Sequence, residues 1–298
     1  MPTIPTNTLW DIHIGMVTRV LKTVKNQIIS FRTWLETFDK QNDYKDDDVV
    51  TTADYEAQQL YTSMIGDVRS DAGIVAEEHW LRKDPCNQDT LLYTIDPVDG
   101  TKALVRKQSD GIGTLLWVVD TAKNQIVAAY VGDIMTEEIY YYHPGTSDVY
   151  RMNLYDSDIK TQLLYQPRIK KRIQMLDDIR HFPVWLQNAT ESTGYWDSIW
   201  ITNGSIGTNM ARLWKGEVDA VLLKAWRVQP RDRVPCAGIS DVMWYTNIHI
   251  SKDNHMKPVD MDKSWSLEAI VAPYQLIIHK NELADVLSML ETHWFTLK

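Results

Sequence analysis

Two aspartates in one turn are the first residues of this sequence that could do chemistry. The stretch "TIDPVDGTKAL" (94–104) places Asp96 and Asp99 three residues apart after an apolar run, with Pro97 between them. Proline stiffens the backbone, and two converging carboxylates suit a hard cation such as Mg²⁺, which prefers oxygen ligands. Asp-Pro and Asp-Gly are also strong turn formers. The bare pattern therefore fits a surface turn and a metal site equally well.

Three further carboxylates lie where a predicted element begins or ends. Asp54 opens a predicted helix, Glu77 closes a predicted strand, and Asp232 precedes a run of small residues that could begin a helix. Side chains from distant segments can converge at the ends of elements. Such carboxylates suit hard cations such as Mg²⁺, and two such ions a few ångströms apart can clamp the attacking and leaving oxygens of a phosphoryl transfer.

Each of these residues also has a plainer interpretation. Asp54 alone is typical of a carboxylate that complements the dipole at a helix start. Glu78, which follows Glu77, fits a supporting or surface glutamate better than a ligand, and His79 and His143 fit surface or packing histidines. Only the combination of carboxylates distinguishes a metal site from ordinary surface chemistry.

The spacing of apolar residues predicts the elements that must position these side chains. Apolar residues recur at helical intervals from about residue 10 to residue 37, which predicts a long amphipathic helix. "TTADYEAQQLYTSMI" predicts a second helix with Thr51 or Thr52 as its N-cap. "AGIVAEE" and "TLLYTIDP" predict the strands that end in the carboxylates.

The rest of the chain predicts more sheet and a second half. "GIGTLLWVVD", "QIVAAYVGDIM" and "EEIYYYHPG" are separated by turn signals and predict an antiparallel meander. The chain ends in a predicted strand, "EAIVAP", and a predicted helix, "NELADVLSML". We therefore predict a mixed α/β protein with an N-terminal half of residues 8–149, which carries the paired aspartates, and a C-terminal half of residues 150–298, which supplies Asp232.

Composition and charge argue against several classes of function. The 298 residues are 44% hydrophobic and 24% charged, which is ordinary for a globular protein with a substantial core. The net charge of −9 argues against a nucleic acid polymer as partner. No apolar run approaches the roughly 18 residues of a membrane span, so we expect no membrane association. Cys86 and Cys236 fit reduced thiols and the N-terminus lacks a signal-peptide pattern, so we expect a cytoplasmic protein.

"DPVDGT" resembles the first signature of the inositol monophosphatase family, Asp-Pro-aliphatic-Asp-Gly followed by Thr or Ser. Other segments match in the family's order: "DVVTTAD" (48–54), "VAEE" (75–78), "GS" (204–205) with "KGEVDA" (215–220), and "PRDRVPCAG" (230–238). The resemblance implies a five-layer αβαβα sandwich and a lithium-sensitive, Mg²⁺-dependent phosphomonoesterase, in which metal-activated water attacks a small phosphorylated metabolite. Family members are commonly dimers, so it also implies a homodimer.

The resemblance assigns metal ligands motif by motif. Glu77, Asp96 and the backbone carbonyl of Val98 would hold one ion. Asp96, Asp99 and Asp232 would hold a second, in a site for two or three Mg²⁺ ions. Asp99 and Asp232 would also contact the substrate.

The resemblance also assigns the groups that bind the phosphate and activate the water. Gly100 and Thr101 would offer backbone N–H groups to the phosphate, as at other anion-binding turns. Asp54, Thr101 and Glu77 would be the catalytic residues, with Asp54 and Thr101 orienting and deprotonating the nucleophilic water. A threonine alone is a poor base, so its role requires a carboxylate and a water of lowered pKa.

The second signature departs from the family pattern. The family usually has tryptophan before this aspartate and two alanines before the following glycine, whereas here Arg231 precedes Asp232 and "VPCAG" follows, with Pro235 and Cys236. The carboxylate is retained, and its altered neighbours indicate an outlying branch of the family. The substrate of such a branch need not be an inositol phosphate.

Two alternatives to an inositol-phosphatase-like enzyme stay open. Lys102 follows Thr101, as in 3'(2'),5'-bisphosphate nucleotidases, where it would bind a second phosphate; otherwise it is a solvated helix residue. The second alternative is a catalytically silent relative that only binds a sugar phosphate. Such a protein has no need of Asp54, Glu77 and Thr101 together.

Overall fold

The computed structural model describes residues 6–30, 36–39, 49–144, 146, 148–176, 178–191, 193–224, 230–251, 255–260 and 273–295. The helices in these ranges are α1 (Thr6–Ser30), α2 (Thr52–Val68), α3 (Thr101–Val105), α4 (Val184–Glu191), α5 (Ile206–Trp214), α6 (Pro230–Val242) and α7 (Leu283–Phe295). The strands are β1 (Thr37–Asp39), β2 (Val49–Thr51), β3 (Gly73–Ala76), β4 (Arg82–Lys83), β5 (Leu91–Asp99), β6 (Gly113–Asp120), β7 (Gln125–Asp133), β8 (Glu138–Tyr142), β9 (Tyr150–Asn153), β10 (Asp156–Gln162), β11 (Arg172–Leu176), β12 (Ser198–Thr202), β13 (Ala220–Lys224), β14 (Tyr245–Ile250), β15 (Met256–Asp260) and β16 (Tyr274–His279).

Two large sheets contain most of the strands. The first has the order β10-β9-β8-β7-β6-β5-β3-β4, and its neighbours are antiparallel except β3 and β5, which are parallel. The second has the order β12-β11-β13-β16-β14-β15, and β11 is parallel to both of its neighbours. The predicted antiparallel meander is confirmed as β6, β7 and β8.

The buried apolar side chains of the described residues form three hydrophobic cores, the second of which surrounds a middle layer of helices. The first core lies between α1, α2 and one face of the first sheet. The second lies between the other face of that sheet, α5, α6 and the second sheet. The third lies between the far face of the second sheet, α4 and α7. The layers are therefore helix, sheet, helix, sheet and helix, which confirms the predicted αβαβα sandwich.

Strand β6 shows why the middle of the first sheet is apolar throughout. Leu116 and Val118 belong to the first core, whereas Leu115, Trp117 and Val119 belong to the second. Successive residues of a strand point to opposite faces, so a strand that is covered on both sides needs apolar residues at every position. The strand that carries the paired aspartates, β5, pairs with this buried strand.

Helix α1 forms because one of its faces is apolar. That face contains residues at three- and four-residue spacing that are fully buried, namely Val17, Val20, Leu21 and Val24. The described part of this helix runs from Thr6 to Ser30, and Thr37 begins a short strand that pairs with β2, so the helix does not reach residue 37 as predicted. The predicted helical segment 31–35 lies outside the described residues.

The first sheet extends past the predicted division of the chain. β9 pairs with β8 and β10 pairs with β9, so this sheet continues to Gln162, beyond residue 150. The two halves with the predicted boundaries stay a prediction.

The last predicted elements have different outcomes. The C-terminal helix is confirmed as α7. Residues 268–272 of the predicted strand "EAIVAP" lie outside the described residues. None of the helices in the described ranges has the length and apolar character that a membrane crossing requires.

Candidate active site

A bulge in β5 changes the face on which Asp99 lies. In a regular strand, residues three apart point to opposite faces. Here Asp96 pairs with Leu115 and Asp99 pairs with Gly113, so two residues of β5 lie opposite one residue of β6. A bulge of this kind inserts one extra residue and shifts the alternation by one. Asp96 and Asp99 therefore share a face despite their odd spacing.

The packing around β5 shows the effect of this bulge. Ile95 and Val98 are also three residues apart, and both pack in the first core. Asp96 and Asp99 follow them directly and lie on the opposite face, where 3% and 8% of their surfaces are exposed. Pro97 falls within the bulge, a place where the missing N–H of proline is tolerated.

The N-terminus of α5 holds the Asp99 carboxylate. Ser205 Oγ and the N–H of Gly207 donate to Asp99 Oδ2 at 2.5 Å and 2.8 Å. The N–H of Ile206 donates to Asp99 Oδ1 at 3.3 Å. Ser205 is also the N-cap of α5, because its Oγ accepts from the N–H of Thr208 at 3.0 Å. A segment far away in the sequence thus fixes the orientation of Asp99.

Burial raises the pKa of the Asp99 carboxyl above its usual range. The hydrogen bonds from Ser205, Gly207 and Ile206 lower it, and the negative charge of Glu77 raises it. Hydroxyl and backbone N–H groups carry no full positive charge, so they only partly offset the cost of burying a carboxylate. A cation next to this carboxylate would favour its charged form.

Glu77 reaches the same edge of the first sheet through the parallel pairing of β3 with β5. β3 runs parallel to β5, and Ala76 at the end of β3 pairs with Ile95. The next residues along the two chains are Glu77, which directly follows β3, and Asp96, which lies within β5. Glu77 is half-buried. The backbones of Glu77 and Asp96 are therefore neighbours, and their joint role as metal ligands stays a prediction.

Asp54 links the start of α2 to the turn after β5. Its Oδ2 accepts from the N–H and the hydroxyl of Thr51, at 2.8 Å and 2.5 Å, so the predicted role at the helix start is confirmed. Its Oδ1 lies 2.9 Å from the hydroxyl of Thr101, which also lies 3.0 Å from the backbone oxygen of Val98. Both oxygens accept hydrogen bonds, so the threonine proton is shared between a carboxylate and a carbonyl.

Gly100 permits the close packing of this turn. Its φ is 92°, which favours glycine, and a Cβ there would lie 2.3 Å from the backbone oxygen of Gly111 and 2.7 Å from the backbone nitrogen of Ser205. Thr101 begins α3 directly afterwards, and Lys102 is exposed on that helix. The turn, the loop before β6 and the start of α5 therefore meet with no room for a side chain.

The backbone of Asp232 forms part of the first turn of α6, and this helix packs against β5, β6 and β7. Its side chain, like those of Arg231 and Pro235, lies outside the described residues. Cys236, one turn further along, is buried. The predicted role of Asp232 as a metal ligand and substrate contact stays a prediction.

The donor chemistry of this site fits a hard divalent cation. Asp96, Asp99, Glu77 and the carbonyl of Val98 are all oxygen ligands of the kind that Mg²⁺ prefers. Among the side chains that the structure describes, no three Asp, Glu, His or Cys groups close around a metal position. The predicted fourth carboxylate, Asp232, is outside that set. The residues present therefore fit the ion by their chemistry and by the burial of two of them.

The chain matches the model of the inositol monophosphatase family over residues 16–239, which include each of the acidic motifs described above. The chain belongs to this family. No curated protein matches it by sequence.

Solved structures of family members share the fold. The SuhB protein of Bartonella henselae is 12% identical, with 95% of this chain and 98% of that chain covered and a TM-score of 0.69. The IMPase of Thermotoga maritima is 16% identical, with 96% and 99% covered and a TM-score of 0.67. An IMPase/NADP phosphatase complexed with NADP and Ca²⁺ is 17% identical, with 96% of both chains covered and a TM-score of 0.68. At such low sequence identities, these structural matches show a common fold.

Sequence reasoning missed two supporting residues of this family member. The first is Ser205 of the "GS" segment, which was recognised as part of a motif but not as a residue that holds Asp99. A serine before an apolar helical run is an N-cap signal and could have indicated this position. The second is Gln58 of α2, whose side-chain amide forms hydrogen bonds with the backbone of Glu78 at 2.9 Å and 2.8 Å, and no sequence pattern indicated it.

Glu78 is only 3% exposed, so of its two interpretations the surface residue is wrong, and the supporting residue stays a prediction. The packing interpretation is confirmed for His143, whose ring stacks on Trp10 at 6.0 Å.

Proposed function

We propose that the protein is a Mg²⁺-dependent phosphomonoesterase that hydrolyses a small phosphorylated metabolite. The contact between Asp54 and Thr101, beside the two buried aspartates of β5, carries this proposal. A carboxylate with a purely local role would bind only the start of its own helix. Asp54 uses one oxygen for Thr51 and the other for a residue 47 positions away. That arrangement supports proton transfer at the turn.

The similar structures support the choice of metal and substrate class. They include an IMPase/NADP phosphatase complexed with Mg²⁺ and phosphate, at 19% identity, and a dual specific IMPase/NADP phosphatase bound with D-inositol-1-phosphate, at 17% identity. For this chain the ions and the substrate remain part of the proposal. Glu77, Asp96, Asp99, Asp232 and the Val98 carbonyl would hold two or three Mg²⁺ ions.

The chain's own groups would act on the phosphate and the water. When bound, Mg²⁺ would supply positive charge that stabilises the phosphate and would lower the pKa of a bound water. The N–H groups of Gly100 and Thr101 would bind a phosphate oxygen. The Thr101 hydroxyl would accept a proton from the attacking water while it passes its own proton to Asp54 Oδ1, 2.9 Å away. Thr51 holds the other oxygen of Asp54, so the acceptor stays in place.

A phosphatase screen tests this proposal. The purified protein is incubated with inositol monophosphates, adenosine 3',5'-bisphosphate, histidinol phosphate and fructose 1,6-bisphosphate, with Mg²⁺ or with a chelator. We expect phosphate release from at least one ester, its loss on chelation, and inhibition by Li⁺. Asp96→Asn should abolish the release because this carboxylate would bind both ions. Asp120→Asn is the matched control, since Asp120 is also a buried strand aspartate but lies at the opposite end of β6. Full turnover by Asp96→Asn would refute the proposal.

Lys102 favours a second candidate within the same reaction class. It is exposed beside Thr101 on α3, where its ammonium group could pair with a second phosphate of a 3'(2'),5'-bisphosphate nucleotide. The other alternative is a catalytically silent relative that only binds a sugar phosphate. It would be supported if the protein binds an ester of the same screen without releasing phosphate. The homodimer, the cytoplasmic location, and the lack of nucleic acid or membrane partners stay predictions.

A further inference from the structure

Three residues on one face of α2 reach three different segments of the candidate site. Asp54, Gln58 and Tyr61 are spaced four and three residues apart, which places them on the same side of a helix. Asp54 contacts Thr101, as described above. The Tyr61 hydroxyl lies 3.0 Å from the hydroxyl of Thr114, which lies 3.4 Å from the backbone oxygen of Asp96.

Gln58 makes the most constrained of these contacts. Its side-chain Nε2 donates to the backbone oxygen of Glu78 at 2.9 Å, and its Oε1 accepts from the backbone N–H of the same residue at 2.8 Å. Only 8% of Gln58 and 3% of Glu78 are exposed. One buried amide therefore pairs with two successive peptide groups, in the way that a neighbouring strand would.

These two peptide groups follow Glu77, where the chain leaves β3 and turns. Glu77 has a φ of −68° and a ψ of −48°, and His79 has a φ of 55°, in the left-handed region. The N–H of Glu78 belongs to the peptide plane that defines ψ of Glu77. Gln58 therefore holds the torsion angle that sets the direction of Glu77 relative to Asp96.

We infer that Gln58 is a positioning residue that directs the Glu77 carboxylate to the metal site at the end of β5. This inference rests on the proposed metal-dependent function. The amide of Gln58 donates to the oxygen and accepts from the N–H of Glu78 at the same time, whereas an ionised carboxylate at this position would have no proton to donate. Groups that orient metal ligands contribute to metal affinity, and their loss weakens binding about ten-fold to a hundred-fold.

The test compares Mn²⁺ affinity with thermal stability. Gln58→Met has nearly the same size and makes neither hydrogen bond. Gln187→Met is the matched control, because Gln187 also donates to a backbone oxygen, that of Phe182 at 2.7 Å, but lies in α4 of the outer helical layer. Melting temperatures are measured in chelator, and Mn²⁺ dissociation constants by calorimetry without substrate. We expect both variants to have a lower melting temperature than the wild type. Only Gln58→Met should have a Mn²⁺ dissociation constant about ten-fold higher.

A double-mutant cycle shows whether Gln58 acts through Glu77. In a Glu77→Gln background, Gln58→Met should cause no further rise in the dissociation constant, since the positioned group is already lost. Mn²⁺ binding by Gln58→Met within two-fold or so of wild type would overturn the inference. If Gln58→Met does not fold, Gln58→Asn, which keeps the amide but is one methylene shorter, is held to the same criterion.

The wild-type protein distinguishes failure of the inference from failure of the proposed function. Phosphate release and Mn²⁺ binding are measured on the same preparation. Wild-type protein that neither binds Mn²⁺ nor releases phosphate would overturn the proposed function and this inference together. Wild-type activity with an unchanged Mn²⁺ affinity in Gln58→Met would overturn the inference alone.

Discussion

Ser205 makes two hydrogen bonds that a Ser205→Ala substitution would remove together. Its hydroxyl donates to the buried Asp99 carboxylate at 2.5 Å and accepts from the N–H of Thr208 at 3.0 Å. A hydrogen bond to a charged group contributes about 1.5–3 kcal/mol and a helix N-cap about 1 kcal/mol. We therefore expect the free energy of unfolding to fall by about 2–4 kcal/mol at neutral pH.

The charge of Asp99 makes this loss depend on pH. Burial raises the folded-state pKa of Asp99 above 3.8, so the stability that this group contributes is lost as the pH rises through that pKa. The Ser205 hydroxyl limits this loss, because it favours the charged form. Removing it raises the pKa further. The cost of Ser205→Ala is therefore largest at neutral pH and decreases as the pH is lowered towards 3.8.

Urea denaturation in chelator, at neutral pH and at about pH 4.5, measures both effects. Ser240→Ala is the matched control, since Ser240 is also fully buried and its Oγ accepts from the neutral Nε1–H of Trp214 at 3.0 Å. We expect a loss of about 1–3 kcal/mol for this variant, because the indole N–H remains buried, with little change between the two pH values. If the two serine variants lose equal stability at both pH values, the reasoning about Asp99 is wrong.

Three further predictions concern the turn after β5. Gly100→Ala should lower the free energy of unfolding by more than about 2 kcal/mol, because the new Cβ would meet a backbone oxygen at a positive φ. The control Gly66→Ala lies in open space on α2 and should raise the free energy of unfolding by about 0.4–1 kcal/mol. If denaturant titrations give the two variants similar free energies of unfolding, the close packing at Gly100 is contradicted. Asp54→Asn should lower kcat about 10²–10⁴-fold on any ester that the wild type hydrolyses, and an unchanged kcat would remove Asp54 from the proton path. Lys102→Ala should raise the KM for a bisphosphate about ten-fold and leave the KM for an inositol monophosphate nearly unchanged. Equal KM values of wild type and variant for the bisphosphate would remove the reason to consider a nucleotidase.

The strongly patterned segments were predictable because local rules decide them. Thr51 caps α2 and Asp54 lies in its first turn, as the preference for threonine at helix starts indicated. The strands of the meander follow from apolar runs between turn signals. The strand at Thr37 and the extent of the first sheet were not predictable in this way. Thr37 and the strands up to Gln162 join sheets by pairing with partners elsewhere in the chain, and that pairing has no local signal.

The kinds of ligand and their order along the chain are properties of the sequence, because motifs such as "DPVDGT" state which carboxylates and glycines are present. The relative placement of those groups is a property of the tertiary structure. Asp96 and Asp99 share a face only because β5 bulges against β6, and Asp99 is held only because the start of α5 packs beside it. Gln58 is positioned by the contact of α2 with the end of β3. Each of these arrangements joins residues that are distant in sequence, and hydrophobic packing between layers, which has no local sequence code, brings them together.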